Sequence, residues 1–147
     1  MVKVGVQPLE EIPDELLRYA VVVSRCGEGW VFCKHRARSS WELPGGKREP
    51  GEAILDTAAR ELVEETGALR YEITPLASYS VTGGSQGNSI SYGLLCHAEL
   101  LELGVLPESE IDRIAVRSHM PEPCTHPLIQ PLLLEWVIAW RNGQNKT

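Results

Sequence analysis

Three glutamates stand close together in the stretch REPGEAILDTAARELVEETG, at positions Glu61, Glu64 and Glu65. If this stretch is a helix, with about 100° between residues, the three carboxylates share one face. Like charges on adjacent turns repel by a few tenths of a kcal/mol per pair, so the cluster is unfavourable without a partner. Carboxylates are also the ligands that Mg²⁺ and Mn²⁺ prefer. The cluster therefore indicates either a solvated helix face or a metal site.

The two glycines that precede this stretch favour the metal site. At Gly45 and Gly46 no Cβ intervenes, so a backbone carbonyl can approach a hard cation closely. Carboxylates, a carbonyl and water together form a typical Mg²⁺ ligand set. Glu52 and Arg60 are predicted to be structural, as a loop-to-helix salt bridge with an anion near the helix N-terminus.

The carboxylates must be positioned by a helix over about residues 52–66, which Gly67 ends. On a helical wheel, the apolar positions opposite the carboxylates form a stripe that is predicted to pack on the rest of the protein. These positions are Leu55, Ala59, Leu62 and Val63.

Short β-branched runs around this helix predict strands. Residues 19–25 and 30–36 are predicted to form a hairpin, and 71–81 and 89–100 a second pair joined by the turn GGSQGN. Residues 37–51 and 101–110 are predicted loops, 111–118 a strand, and 128–141 an apolar helix. This order predicts an α/β fold with a mixed sheet and packed helices, in a single domain over 1–147.

Composition excludes several function classes. The net charge of -6 provides no basic surplus for nucleic acid, so we expect no such partner. The four cysteines lack zinc-like spacing and are expected to be reduced, and the four histidines are assigned no chemistry. The N-terminus is acidic and the apolar runs are short, so we expect no signal peptide, no membrane partner and a cytoplasmic chain. Oligomeric state is left open.

The pattern G-x₅-E-x₇-R-E-L-x-E-E-x-G, from Gly46 to Gly67, resembles the box of the Nudix hydrolases. Only the next position departs, because relatives usually carry a larger aliphatic residue where this chain has Ala68. The resemblance places the box at residues 46–68 and implies an α/β/α sandwich with a mixed sheet between helices. It also implies hydrolysis of X-O-P-P bonds with one or more Mg²⁺ or Mn²⁺ ions.

The resemblance also implies roles for particular residues. Glu61, Glu64, Glu65 and the Gly46 carbonyl would hold the metal, and Glu61 and Glu64 are the predicted catalytic residues. Relatives often add an acidic ligand from a later loop, for which Glu110 is the first choice and Glu108 the second. Arg36, with Arg38 as a weaker candidate, could reach substrate phosphates; surface roles are equally open for these four loop and strand-end residues.

The stretch WELPGGK at 41–47 is similar to the MutT-type nucleoside triphosphate pyrophosphatases, which makes Lys47 a candidate substrate contact. In CTHPLI, Thr125 stands where the MutT branch has an Asn that reads an oxidised purine. The resemblance implies Mg²⁺-dependent hydrolysis of a nucleoside triphosphate, including a modified dNTP, to monophosphate and pyrophosphate. The alternatives are another nucleoside diphosphate derivative as substrate, or a non-catalytic nucleotide-binding module.

Overall fold

A computed structural model of the protein describes residues 2–83 and 89–144. In these ranges eight strands form one sheet, with two α-helices and a short 3₁₀ helix at Asp14–Leu16. The strands are β1 (Lys3–Pro8), β2 (Leu17–Cys26), β3 (Gly29–His35), β4 (Trp41–Glu42), β5 (Gly45–Lys47), β6 (Ala68–Thr82), β7 (Ile90–Leu103) and β8 (Ile111–Arg117). The helices are α1 (Ile54–Thr66) and α2 (Gln130–Gln144).

The sheet is mixed, as predicted. Its strand order is β1-β6-β7-β2-β3-β4, while β5 pairs with β2 and β8 with β3. The central strands β2 and β7 run parallel, with Val22 opposite Cys96, and the other pairs are antiparallel. A parallel pair needs a long crossover. Here the chain between β2 and β7 includes α1, which therefore lies against the sheet.

Both faces of the sheet are covered, which gives the predicted α/β/α sandwich. Along β2 the side chains alternate with period two. Val22 packs on one face with Leu62 of α1, while Val23 packs on the other face with Leu133 of α2. Burial of each such aliphatic side chain stabilises the fold by about 1.5–3 kcal/mol, so the two helices are held by two separate cores.

Helix α1 lies where the sequence predicts it. It ends at Gly67, whose φ of 75° is left-handed and whose N–H donates to the Val63 carbonyl at 3.0 Å. A residue with a Cβ resists this conformation, so glycine is suited to end the helix here. Both strands of the predicted hairpin and the strand at 111–118 are also present, within a few residues of their predicted bounds.

The predicted apolar stripe of α1 is wrong in part. Leu55 is 47% exposed, whereas Ile54, Ala58 and Leu62, spaced by four, are buried against the sheet. The buried face of α1 is therefore rotated by about 100°, or one residue, from the face that the helical wheel predicts. As a result Glu65, predicted to lie on the opposite face, is itself buried.

Three strands were missed. β1 pairs with β6, and the predicted loop over 37–51 contains β4 and β5. Strands of two or three residues carry too little periodicity to be recognised in a glycine-rich segment. The predicted loop over 101–110 begins late, because β7 extends to Leu103. Most of the predicted turn over 83–88 lies outside the described residues.

The thiols are unpaired, and Cys33 and Cys96 are buried while Cys26 and Cys124 are half-buried. Burial raises the pKa of Cys96 to about 12, so this thiol packs as a small neutral side chain. None of the helices in residues 2–83 and 89–144 combines the length and apolar character needed to cross a bilayer.

Candidate metal and nucleotide site

The site is organised by a gap between β2 and β3. These strands pair only near their hairpin, at Arg25–Trp30 and Cys26–Gly29. Beyond that point the segment 41–47 lies between them, with β4 paired to β3 and β5 paired to β2. The Val22 N–H donates to the Pro44 carbonyl at 2.9 Å, which closes the ladder. The glycine pair is therefore held inside the sheet rather than in a free loop.

Helix α1 brings two of its carboxylates onto this segment. Glu65 Oε1 accepts the Gly45 N–H at 2.8 Å, and the side chain is buried. The Glu61 carboxylate lies directly against Gly46, where an added Cβ would overlap it. Gly46 therefore leaves the space that the carboxylate occupies, as a site combining a carbonyl with carboxylates requires.

Arg60 binds the carboxylates on both sides of it. Its Nε and Nη2 donate to Glu52 at 2.7 and 3.0 Å, so the predicted Glu52–Arg60 bridge is present and bidentate. Hydrogen bonds from Arg60 and from the Thr57 hydroxyl lower the pKa of Glu52 to about 2. The Arg60 Nη1 also lies 2.7 Å from Glu61 Oε1 and 3.5 Å from Glu64 Oε2. A positive charge thus already stands between two of the predicted metal ligands.

The buried carboxylates are costly as anions. Burial raises the pKa of Glu61 to about 7 against the opposing effect of Arg60, and the neighbouring Glu64 raises it further. Burial likewise raises the pKa of Glu65 to about 8, opposed by the Gly45 N–H and increased by Glu61 and Glu42. Desolvated, like-charged carboxyl groups hold protons tightly unless a cation neutralises them.

The donor set fits a hard divalent cation. Carboxylates beside a glycine carbonyl are the ligands that Mg²⁺ and Mn²⁺ take. Within residues 2–83 and 89–144, however, no three His, Cys, Asp or Glu side chains already form such a group. The hydrogen bonds explain this: Arg60 holds Glu61, and the Gly45 N–H holds Glu65. Binding a cation would require these carboxylates to rotate towards it.

His35, for which the sequence predicts no chemical role, lies at the edge of this cluster. Its Nε2 is 3.0 Å from Glu42 Oε1 and 3.9 Å from Glu65 Oε2, and its Nδ1 is 3.7 Å from Glu110 Oε2. The contacts come from β3, β4, α1 and a distant loop. No spacing of histidines along the chain could reveal them. The one available signal is that His35 ends the strand before the glycine-containing segment.

The later loop reaches the site through two contacts. Arg36 donates from Nε to the Ser109 carbonyl at 3.1 Å, and the Ser109 hydroxyl donates to the Glu64 carbonyl at 3.3 Å. Arg36 thus holds the loop, while its candidate role at substrate phosphates stays a prediction. The Glu110 side chain is 87% exposed and approaches His35, and Glu108 is also exposed. Of the two candidate ligands, Glu110 is the one in contact with the cluster.

A cavity of about 500 Å³ opens beside the glycine pair. Its lining includes Glu42 and Gly46 near the carboxylates and Gln130 at the start of α2. Its described lining residues are Tyr19, Ala20, Val21, Glu42, Leu43, Gly45, Gly46, Tyr79, Val81, Ser89, Ser91, His126, Ile129 and Gln130. A cavity of this volume is typical of small-molecule sites, and its position would bring a ligand next to the carboxylates.

Two predicted substrate contacts lie outside this lining. The Thr125 hydroxyl is 2.6 Å from the Ser40 hydroxyl, and its backbone N–H donates to the Trp41 carbonyl at 2.9 Å. Lys47 is exposed on β5, and its carbonyl accepts a hydrogen bond from Arg60 at 3.1 Å. The geometry thus gives Thr125 a structural contact, and its substrate role stays a prediction.

The NUDIX domain family matches residues 16–123, which include both the box and the cavity-lining residues up to β7. The chain therefore belongs to the Nudix hydrolase family. The fold agrees: the chain is similar to the crystal structure of the Bacillus subtilis pyrophosphohydrolase BsRppH (E68A mutant), with a TM-score of 0.72 and 23% identity. That match covers 97% of this chain and 89% of the other.

Curated relatives share the middle of the chain. The "Putative 8-oxo-dGTP diphosphatase YtkD" of Bacillus subtilis (strain 168) is 38% identical over 77 residues, which are 52% of this chain and 46% of the relative. The "8-oxo-dGDP phosphatase NUDT18" of Homo sapiens is 44% identical over 52 residues, which are 35% of this chain and 16% of the relative. The chain spans less than half the length of these relatives.

Proposed function

We propose that this protein hydrolyses a nucleoside triphosphate to the monophosphate and pyrophosphate, with Mg²⁺ or Mn²⁺. The observation that carries the proposal is the placement of the Glu61 and Glu65 carboxylates against the Gly45–Gly46 backbone, which lines a cavity of about 500 Å³. Phosphates bound there would meet the carboxylates, while the nucleoside would extend towards α2. The cysteines are free thiols, which suits the cytoplasm.

The cation would be held by the carboxylates of Glu61, Glu64 and Glu65 and by the Gly46 carbonyl. Glu110, whose side chain approaches His35 at the edge of the cluster, would be the added ligand. The cation would neutralise phosphate charge and acidify the attacking water. The protein's own groups do the rest. Glu61 and Glu64 are the candidates to take the proton from that water. Arg60 would keep its hydrogen bonds to Glu52, which position the loop before α1. Its hydrogen bond from Nη1 to Glu61 would break when Glu61 binds the cation.

The curated relatives support a nucleotide substrate with a modified base. Proteins named for action on 8-oxo-dGTP and 8-oxo-dGDP share the central part of this chain. A nucleoside triphosphate and a nucleoside diphosphate both contain the anhydride bond between the α- and β-phosphates, and they differ by the γ-phosphate. We therefore propose purine nucleoside triphosphates, oxidised or not, as the first substrates to test.

A hydrolysis panel tests the proposal. It should compare ordinary and oxidised dNTPs with ADP-ribose, dinucleoside polyphosphates and nucleotide sugars, at saturating Mg²⁺ and in EDTA. We expect triphosphate cleavage with release of pyrophosphate, abolished by EDTA. Cleavage confined to a diphosphate derivative would contradict the proposed substrate class, whereas the family membership would stand. No cleavage of any compound with either metal would favour a binding module.

The Glu64→Gln variant provides the matched control. The Glu64 side chain is 48% exposed, so its charge can be removed with little loss of packing. We expect kcat to fall by about 100-fold or more, as for removal of a group that stabilises transition-state charge. The unfolding midpoint should stay close to that of the wild type. Wild-type turnover by this variant at saturating Mg²⁺ would refute the metal-site assignment.

A further inference from the structure

The orientation of the Gln130 side chain is fixed by one hydrogen bond. Gln130 is the first residue of α2, and only 8% of its surface is exposed. Its Oε1 accepts the backbone N–H of Leu43 at 2.7 Å. A backbone N–H can only donate, so the amide oxygen must face Leu43. The –NH₂ group must then point the opposite way.

Within residues 2–83 and 89–144, no group accepts a hydrogen bond from the –NH₂ group of Gln130, whose amide oxygen is bonded to Leu43. Gln130 lines the cavity of about 500 Å³, as Gly45 and Gly46 do. Among the described residues, the buried side-chain atoms without a partner do not include Gln130 Nε2, so this donor is open to the cavity, where a ligand acceptor can bind it in place of water. The cavity therefore presents a fixed hydrogen-bond donor and no matching acceptor from this side chain.

We propose that Gln130 selects the nucleobase, and that it favours a purine with a carbonyl oxygen at position 6 over one with an amino group at that position. This inference rests on the proposed function, because it places the base in the cavity beside the phosphate site. Guanine offers an oxygen where adenine offers an amino group. A fixed donor facing the amino group leaves two donors opposed and unsatisfied, whereas a carbonyl accepts the bond.

The same geometry favours Gln130 over Thr125 as the residue that contacts the base. Gln130 lines the cavity and its Nε2 has no acceptor in the described part of the chain, while the Thr125 hydroxyl lies 2.6 Å from the Ser40 hydroxyl. The segment that fixes Gln130 also contains Gly45, whose N–H binds Glu65. The proposed base contact and the carboxylates are thus held by one short stretch of backbone.

The decisive variant is Gln130→Glu. It keeps an oxygen for the Leu43 N–H and the shape of the side chain, but replaces the donor with an acceptor. Gln130→Met removes the donor without adding charge. Gln7→Glu is the matched control, because it makes the same change on β1, outside the described lining of the cavity. Thermal unfolding identifies any variant that fails to fold.

Two readouts are needed. The first is binding of the products GMP and AMP in EDTA by calorimetry, which requires no catalysis. The second is the ratio of kcat/KM for GTP to that for ATP with Mg²⁺. We expect the wild type and Gln7→Glu to favour the guanine member by about tenfold or more. Gln130→Glu should abolish or reverse that ratio, and Gln130→Met should reduce it. If the added negative charge only repelled nucleotides in general, kcat/KM would fall equally for GTP and ATP, and their ratio would stay unchanged.

Different results would contradict the role of Gln130 and the proposed activity. Equal binding of GMP and AMP by the wild type, binding of neither, or an unchanged ratio in folded Gln130→Glu would each overturn the role of Gln130. Absence of triphosphate cleavage would overturn the proposed activity. A preference for GMP that Gln130→Glu abolishes would still support the role of Gln130 in that case.

Discussion

Removing the charge of Glu65 should flatten the pH dependence of stability of the metal-free protein. Burial raises the pKa of this carboxyl to about 8, from about 4.5 for an exposed glutamate. The folded protein therefore binds the proton more tightly than the unfolded chain. The resulting stability is fully present below pH 4.5 and is lost as the pH rises through about 8.

The magnitude follows from the linkage relation. One proton held only by the folded state changes the free energy of unfolding by about 1.4 kcal/mol per pH unit. Between pH 5 and pH 8 the wild type should therefore lose about 3.5 kcal/mol relative to Glu65→Gln, because the slope falls as the carboxyl becomes half ionised at pH 8. The variant keeps an oxygen that can accept the Gly45 N–H at the 2.8 Å position, so the local fold should be retained.

Urea unfolding in EDTA at pH 5, 6, 7 and 8 measures this difference. Glu72→Gln, a change at an exposed carboxylate on β6, is the control and should follow the wild type. At pH 8, Mg²⁺ at 100 times its Kd should restore about 2.7 kcal/mol to the wild type. The same Mg²⁺ should restore less to Glu65→Gln. Parallel pH profiles for wild type and Glu65→Gln would refute the assignment of a buried, proton-binding carboxyl.

Three other changes give separate tests. Gly46→Ala places a methyl group where the Glu61 carboxylate lies, so kcat should fall sharply and stability by about 1–3 kcal/mol; kcat within twofold of wild type would contradict the packing. His35→Gln removes a contact to Glu42 at 3.0 Å, so kcat/KM should fall by about tenfold in a folded protein, and unaltered kinetics would exclude a positioning role. Glu52→Gln should lower the thermal midpoint at pH 7 but not at pH 2, because the pKa of Glu52 is lowered to about 2; a difference that persists at pH 2 would show another cause.

Local patterns predicted the elements that local patterns control. The hairpin of β2 and β3, the helix ending at Gly67 and the α/β/α arrangement all follow from periodicity, turn residues or the box resemblance. The short strands β4 and β5 do not, because they exist only through pairing with β3 and β2. Tertiary pairing of this kind leaves no period in the sequence.

The site shows the same division. The wheel grouped Glu61 with Glu65 correctly, but it could not show that the sheet buries Glu65. The contact of His35 with Glu42 and Glu110 depends on β3 lying beside β4 and the later loop. Motif matching selected Thr125 by its position in the chain, whereas the cavity is lined by Gln130, five residues later. Contacts of this kind depend on the tertiary structure and leave no local pattern in the sequence.

The segment 41–47 connects the proposed base contact to the carboxylates. Leu43 fixes Gln130 and Gly45 fixes Glu65 through neighbouring backbone N–H groups. These two residues are separated by about 7 Å of extended chain. An insertion or deletion between them would change the span from the base contact to the carboxylates. If Gln130 contacts the base as proposed, a change in the length of this segment would change the preferred distance between the base and the scissile phosphate.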